Sequence, residues 1–247
     1  MSGLPEDRLI ITAALTGAGH GKEKNPALPI SPEEIINAAV ECEKEGAAIV
    51  HIHARDRQGK PSADISIFSE IVAGIRERTD LIINLTTGGS RVLPREERLR
   101  VVAELKPEMA SFSCGSTMTG SYDAKSKSWE LDFTLAQSYK DLEEMAKLFK
   151  SNGVRPELEI YDVGMIQNVE ILAQMGLLEE PHYYSFVTGI PGQIIPGDVK
   201  TLLFLSEKLP AHALWQVTGI GGKNHFNMAA AGMLLGGCVR VGLEDSV

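Results

Sequence analysis

Cysteine, basic charge and long apolar runs are all scarce in this chain of 247 residues. Its three cysteines, Cys42, Cys114 and Cys238, are odd in number and lack C-x-x-C spacing, which argues against both a disulfide framework and a thiolate zinc site. Lys and Arg number 24 against 33 Asp and Glu, a formal net charge of -9. Nucleic acids and anionic membranes are recognised by basic patches, so neither is expected as a partner. No uninterrupted apolar stretch reaches the ~18 residues of a membrane span, and the chain opens on acidic residues where a secretory leader would carry basic ones. The absences point to a soluble, unprocessed, cytoplasmic protein that handles small molecules.

What is present is enough apolar residue, 43% of the chain, for a large core. Short β-branched runs alternate with stretches of helical period, the pattern of repeated βα units. Eight strands are predicted: Leu9 to Ala14, Ala48 to His53, Leu81 to Leu85, Met109 to Phe112, Glu157 to Tyr161, Tyr183 to Val187, Leu214 to Val217 and Cys238 to Val241. Helices are predicted to begin near Pro32, Ile65, Pro94, Phe133, Gly164, Gly197 and Asn224. The start at Ser31-Pro32-Glu33-Glu34 is well specified: Ser31 can cap orphan N–H groups, Pro32 is preset for the first turn, and the glutamates suit its positive end. Eight parallel strands separated by helices favour one (β/α)8 TIM barrel over residues 1–247 rather than an open doubly wound sheet. Only six residues follow the eighth strand, so the final helix is absent from this sequence; a shortened sequence and cover from a neighbouring subunit both remain open. Residues 117–132 form a polar stretch longer than the ~2–6 residues usual for a βα loop, and read as a lid or subunit contact.

A barrel places its active site at the C-terminal ends of its strands, and the chemically distinctive residues fall there. The second strand ends in His51-Ile-His53. Residues i and i+2 of a strand share one side, about 6.6 Å apart at roughly 3.3 Å per residue, so two such imidazoles can chelate one ion. Catalytic zinc usually takes three protein ligands, and the best carboxylates for the third are Glu244 and Asp245, beyond strand eight. Thr16 follows strand one, Thr86 to Gly89 strand three, and Cys114-Gly115-Ser116 strand four. The Gly-rich turns at Thr86 to Gly89 and Gly219 to Gly222 let backbone N–H groups approach a phosphate or carboxylate. Arg240 would keep a neighbouring Asp245 ionised and oriented. Other residues have bland readings of equal weight: Arg55 and Asp56 as a structural ion pair, and Glu157 and Glu159, which share a strand face, as part of a salt bridge. Cys114 reads as a small buried residue with no assignable base.

Four motifs in order, His51-Ile-His53-Ala-Arg55-Asp56, Thr87-Gly88-Gly89, Lys106-Pro107-Glu108-Met109-Ala110 and Arg240-Val-Gly-Leu-Glu244-Asp245, make the chain resemble the β-keto acid cleavage enzyme family from about Leu9 to Asp245. The resemblance implies a zinc-dependent barrel that converts a β-keto acid and acetyl-CoA into acetoacetate and a new CoA ester by a retro-Claisen reaction. By motif match, His51, His53 and Glu244 would hold Zn2+, and Asp245, steered by Arg240, would remove the substrate proton. Thr86 and Ser116 match family hydroxyl positions and Glu159 a glutamate of the pocket; Thr16, Gly88 and Gly89 join them as substrate-binding candidates. A homo-oligomer, a tetramer as in relatives, is implied by the resemblance alone. Two positions depart from it. Gly19 stands where the member acting on an amino-substituted acid has Glu, which points to a neutral or acidic substrate, and Met118 stands where relatives often carry Asn. The competing readings are a zinc-dependent hydrolase or aldolase on the same barrel, and a non-catalytic binding protein that kept the fold.

Overall fold

All eight predicted strands form, and they pair in parallel into a closed barrel in the computed structural model, which describes residues 8–89 and 93–247. They are β1 (Ile11–Thr16), β2 (Ile49–Ile52), β3 (Ile82–Leu85), β4 (Met109–Ser113), β5 (Arg155–Ile160), β6 (Tyr183–Thr188), β7 (Leu214–Gly219) and β8 (Cys238–Val241). Closure is made by β8 on β1, with Ile11 opposite Val239 and Thr12 opposite Arg240. The acidic start of the chain, residues 1–7, lies outside the described residues.

Helices α1 (Pro32–Lys44), α2 (Ile65–Arg78), α3 (Arg95–Arg98, continued by a π-helical turn over Val101–Leu105), α4 (Tyr139–Asn152), α5 (Gly164–Gln174), α6 (Val199–Ser206) and α7 (Gly222–Leu234) cover the barrel. Ser31 caps α1 as the sequence predicts, in a capping box with Glu34. No helix follows β8 among the described residues, and none there is long and apolar enough to cross a membrane.

Two parts differ from expectation. The predicted helix start near Phe133 is strand instead: Thr117–Asp123 and Ser128–Leu135 pair antiparallel as a hairpin, and α4 starts only after Ser138, which forms a capping box with Asp141. Exposure alternates along Asp132 to Leu135, the period of a strand. Residues 117–132 are therefore an ordered hairpin and not an irregular loop. It is tied to the segment after β6, where Gly120 N–H donates to Pro191 (3.1 Å) and Gln193 N–H to Met118 (2.8 Å). Met118 thus works through its carbonyl while its side chain is exposed.

Alternation along each barrel strand sorts its side chains. Outward residues such as Val50, Ile52, Ile83, Leu85, Phe112, Leu158 and Phe186 join the helices in the main core. Inside the barrel, Ile49, Met109 and Tyr183, the first residues of β2, β4 and β6, form a small apolar plug. Above it the interior is polar, unlike the branched apolar layers common in this fold. Phe112 is fully buried and meets Phe149 of α4 edge to face, centroids 5.4 Å apart. Phe112→Ala is expected to cost about 3–5 kcal/mol in urea unfolding; a loss under about 1 kcal/mol would mean that this interface is not packed as described.

Candidate active site

His51 and His53 lie buried at the C-terminal end of β2, their rings edge to face with centroids 5.2 Å apart. The turn after β8 carries Glu244 to them: its Oε2 is 3.7 Å from His51 Nε2 and its Oε1 3.3 Å from His53 Nε2. One donor atom from each of the three residues falls within 4.8 Å of the others. Donors about 2.1 Å from a tetrahedral zinc stand roughly 3.4 Å apart, so the spacing suits one ion. Glu244 reaches this place because Gly17 has no side chain; a Cβ there would lie 2.6 Å from Glu244 Cγ. Gly89 gives His53 the same room, since a Cβ would come within 3.0 Å of His53 Nδ1 and 2.9 Å of Thr86 Cγ2.

Arg240 is the counter-charge. Its Nε and Nη2 donate to the two oxygens of Asp245 at 3.1 and 3.0 Å, and Nη2 also donates to Glu244 Oε1 at 2.6 Å. Its Nη1 stands 4.0 Å from Glu157 Oε1. Glu157 sits at the centre of the barrel with no exposure at all. It accepts hydrogen bonds from the amides of Asn84 and Gln216, the latter at 2.5 Å, and its Oε2 is 3.8 Å from His51 Nδ1. Gln216 is fixed in turn by Thr12 (2.8 Å), Tyr183 (3.0 Å) and Ser185 (3.0 Å).

The electrostatics follow from burial and this arrangement. Burial and the nearby Arg240 hold the His51 imidazole neutral, its pKa well below the usual value. Burial alone would raise Glu244, but Arg240 holds its carboxyl well below the usual range. Asp245 is pushed up to about 6 by burial, with Arg240 opposing and Glu244 adding to the rise. The donor set is thus two imidazoles and one ionised carboxylate. Three acids, Glu157, Glu244 and Asp245, face one guanidinium, and Glu244 Oε2 is buried with no hydrogen-bond partner among the described residues. Buried charge of one sign in excess is costly unless balanced. An orphaned carboxylate oxygen beside His51, on a carboxylate whose other oxygen faces His53, fits a divalent cation.

The other predicted residues divide. Thr86 is buried beside Gly89 and His53, and its Oγ1 accepts from Gly88 N–H at 3.1 Å. Thr16 is fully buried, its hydroxyl without a partner among the described residues. Glu159 lies on β5, where Ser113 (3.1 Å) and Tyr161 (3.0 Å) donate to its Oε2. Ser116 is not brought to the cluster. Its hydroxyl donates to Gln137 C=O and accepts from Gln137 N–H, both at 2.8 Å, closing the base of the hairpin. It lies on a separate cavity of ≈ 810 Å³ with Asp162, Gln167, Gln193 and Phe204.

Arg55 and Asp56 form no ion pair with each other. Arg55 donates to the carbonyls of Gly17, His20 (2.7 Å) and Gly59 (2.9 Å), bracing the loop after β1, and Asp56 accepts from the N–H groups of Gln58 and Lys60, both at 2.9 Å. Burial and Glu159 push the Cys114 thiol well up, as suits a passive core residue. Sequence reasoning missed Asn84 and Gln216 and left Glu157 undecided. The available signal was a polar residue at inward parity within an otherwise apolar strand.

Fold and mouth together define a (β/α)8-barrel enzyme. Residues 8–247 match the family model of the beta-keto acid cleavage enzymes, and the chain belongs to that family. It is 36% identical over 242 residues to the 3-keto-5-aminohexanoate cleavage enzyme of Fusobacterium nucleatum, covering 98% of this chain and 84% of that one. It is 35% identical over 257 residues to the 3,5-dioxohexanoate:acetyl-CoA acetone transferase of Paraburkholderia graminis, covering 97% and 83% respectively. Among solved structures, apo ObcA superposes with a TM-score of 0.74 at 19% identity, over 90% of this chain and 56% of ObcA. This chain therefore spans little more than half of ObcA, and that likeness bears on the fold alone.

Glu159 supplies a prediction that needs no substrate. Burial, and then the neighbouring charge of Glu157, raise its pKa to about 7 from 4.5. The folded state then keeps a proton that the unfolded chain gives up near 4.5, so this group's contribution is complete below that pH and is lost as pH rises through 7. Relative to Glu159→Gln, the wild type is expected to lose up to about 3 kcal/mol between about pH 5 and about pH 8. Urea titrations of both proteins measure this, and parallel pH profiles would contradict it.

Proposed function

We propose that this chain transfers a β-keto acid's acyl group to CoA at the expense of acetyl-CoA, with His51, His53 and Glu244 as zinc ligands and Asp245 as the base. The observation that carries the reading is the pairing of Asp245 with Arg240 directly beside the His/His/Glu cluster. In the net exchange, the acetyl group joins the carbon between the substrate's carboxylate and ketone, and the bond from that carbon to the ketone breaks. CoA leaves the acetyl carbonyl and ends on the substrate's own carbonyl, so the products are acetoacetate and a new acyl-CoA. The zinc held there would supply Lewis-acid polarisation of the keto and carboxylate oxygens.

The protein's own contribution is positional and protolytic. Arg240 holds both oxygens of Asp245 in a bidentate grip, which fixes the carboxylate plane and leaves its other lone pairs for the substrate proton. Burial lifts the basicity of Asp245 towards neutral pH, where a general base works best. Thr86 offers a buried hydroxyl beside His53, and Gly88 and Gly89 keep the same wall low enough for substrate to approach. Thr16 and Glu159 complete the substrate-facing set in this reading. A Cβ at Gly19 would meet nothing within 4 Å. Gly19 thus has room for a side chain but itself carries no carboxylate for a substrate ammonium, which favours a neutral or acidic β-keto acid. A homotetramer is taken from the family resemblance alone, and a cytoplasmic location from the few, unpaired cysteines.

The test is to incubate the protein with acetyl-CoA and a panel of neutral, acidic and amino-substituted β-keto acids, with and without chelator, and follow acetoacetate. Product should require both substrates, vanish with chelator and return with zinc. Failure of every acid in protein that holds one zinc would overturn the assignment. Asp245→Asn should keep its zinc and lose about 10²–10⁴-fold in kcat; retained turnover would remove Asp245 from the base role.

A further inference from the structure

Glu244 and Asp245 act from a short turn, Gly242 to Asp245, that belongs to no helix or strand. What holds that turn decides where both carboxylates point. Three of its ties run main chain to main chain: Glu244 N–H to Ala14 C=O of β1 (3.2 Å), Gly221 N–H to Asp245 C=O (2.8 Å), and Asp245 N–H back to Gly242 C=O (3.1 Å). A further tie runs through a side chain. His225, buried in the first turn of α7, accepts from Gly242 N–H at Nε2 (3.4 Å), while its Nδ1 lies 2.9 Å from Gly219 C=O at the end of β7.

Both contacts define one neutral tautomer. Nε2 must carry the lone pair to accept from Gly242, so Nδ1 carries the proton and donates to Gly219. The imidazole thus bridges the end of β7 to the start of the turn that presents the cluster. Its Nε2 is occupied by a backbone N–H, which leaves it no free lone pair for a metal or a substrate proton.

We infer that His225 is a positioning residue: by fixing Gly242 against β7 it sets the approach of Glu244 to the two histidines and of Asp245 to the substrate. The inference rests on the roles proposed above for Glu244 and Asp245. Support for ligands from residues behind them is commonly worth about 10- to 100-fold in metal affinity or activity.

Two variants and two readouts test it. His225→Phe keeps a planar ring, somewhat larger than the imidazole, and removes both hydrogen bonds. His225→Gln keeps one donor and one acceptor at the end of a chain of similar reach. Zinc affinity is measured by competition with a chromophoric chelator, without substrate, and kcat and KM are measured on the loaded protein. His225→Phe is expected to weaken zinc binding and lower kcat by about 10- to 100-fold with KM for acetyl-CoA little changed, and His225→Gln to restore most of both. A folded His225→Phe protein with wild-type zinc affinity and kcat would overturn the inference, as would Phe and Gln variants that are equally impaired. If His225→Phe does not fold, 15N NMR of the wild type decides. A protonated Nδ1 with a slowly exchanging Gly242 amide is expected, and a protonated Nε2 or a freely exchanging amide would overturn it. Wild-type protein that binds no zinc would instead count against the metal site itself.

Discussion

The guanidinium of Arg240 is the fixed point of the molecule. It is buried inside the barrel, and Glu157, Glu244 and Asp245 are arranged around it. Each contact has a different consequence. Toward Glu157 it helps stabilise a carboxylate that has no access to water. Toward Glu244 it keeps a carboxyl ionised and turned to His51 and His53. Toward Asp245 it supplies a bidentate grip on a carboxylate that burial makes more basic. A lysine could match the charge but not the planar fork that addresses two carboxylates in fixed directions.

That arrangement depends on barrel closure. Pairing of β8 with β1 sets Arg240 opposite Thr12, and Ala14 of β1 lies opposite His51 of β2. Residues nearly two hundred positions apart in the chain thereby share one mouth. The interior below it is polar because Glu157 must be solvated by protein, and Asn84 and Gln216 do so with amide donors. One guanidinium for three acids leaves the cluster short of positive charge. A divalent ion at the two imidazoles and Glu244 would restore the balance, which gives the metal an electrostatic reason beyond the suitability of its ligands.

Much of this was legible in the amino-acid order. The eight strands, the two histidines on one strand face and the acidic turn beyond β8 follow from periodicity and from where a barrel places its chemistry. The hairpin was not legible. Thr117 to Leu135 is polar, partly exposed on both strands and turned without an Asn-Gly or Asp-Gly signal, and its pairing is supported by contacts with the segment after β6. Ser116 is a second case: as one hydroxyl after a strand it resembles Thr86, and only tertiary structure shows its hydroxyl bonded to Gln137. Glu157 and Glu159 share a strand face, and sequence cannot tell which of them lies deeper. His225 looks like an ordinary helix residue until the turn it holds is folded against it.

If Arg240 and its carboxylates present Glu244 to His51 and His53 as a single metal site, one ion must bind all three residues. Anomalous diffraction at the zinc edge from zinc-loaded crystals measures this. One strong peak is predicted, bonded at about 2.0–2.2 Å to an imidazole nitrogen of each histidine and to a Glu244 oxygen. A peak that omits Glu244, or no ordered zinc at the mouth, would mean that these three residues do not form one site.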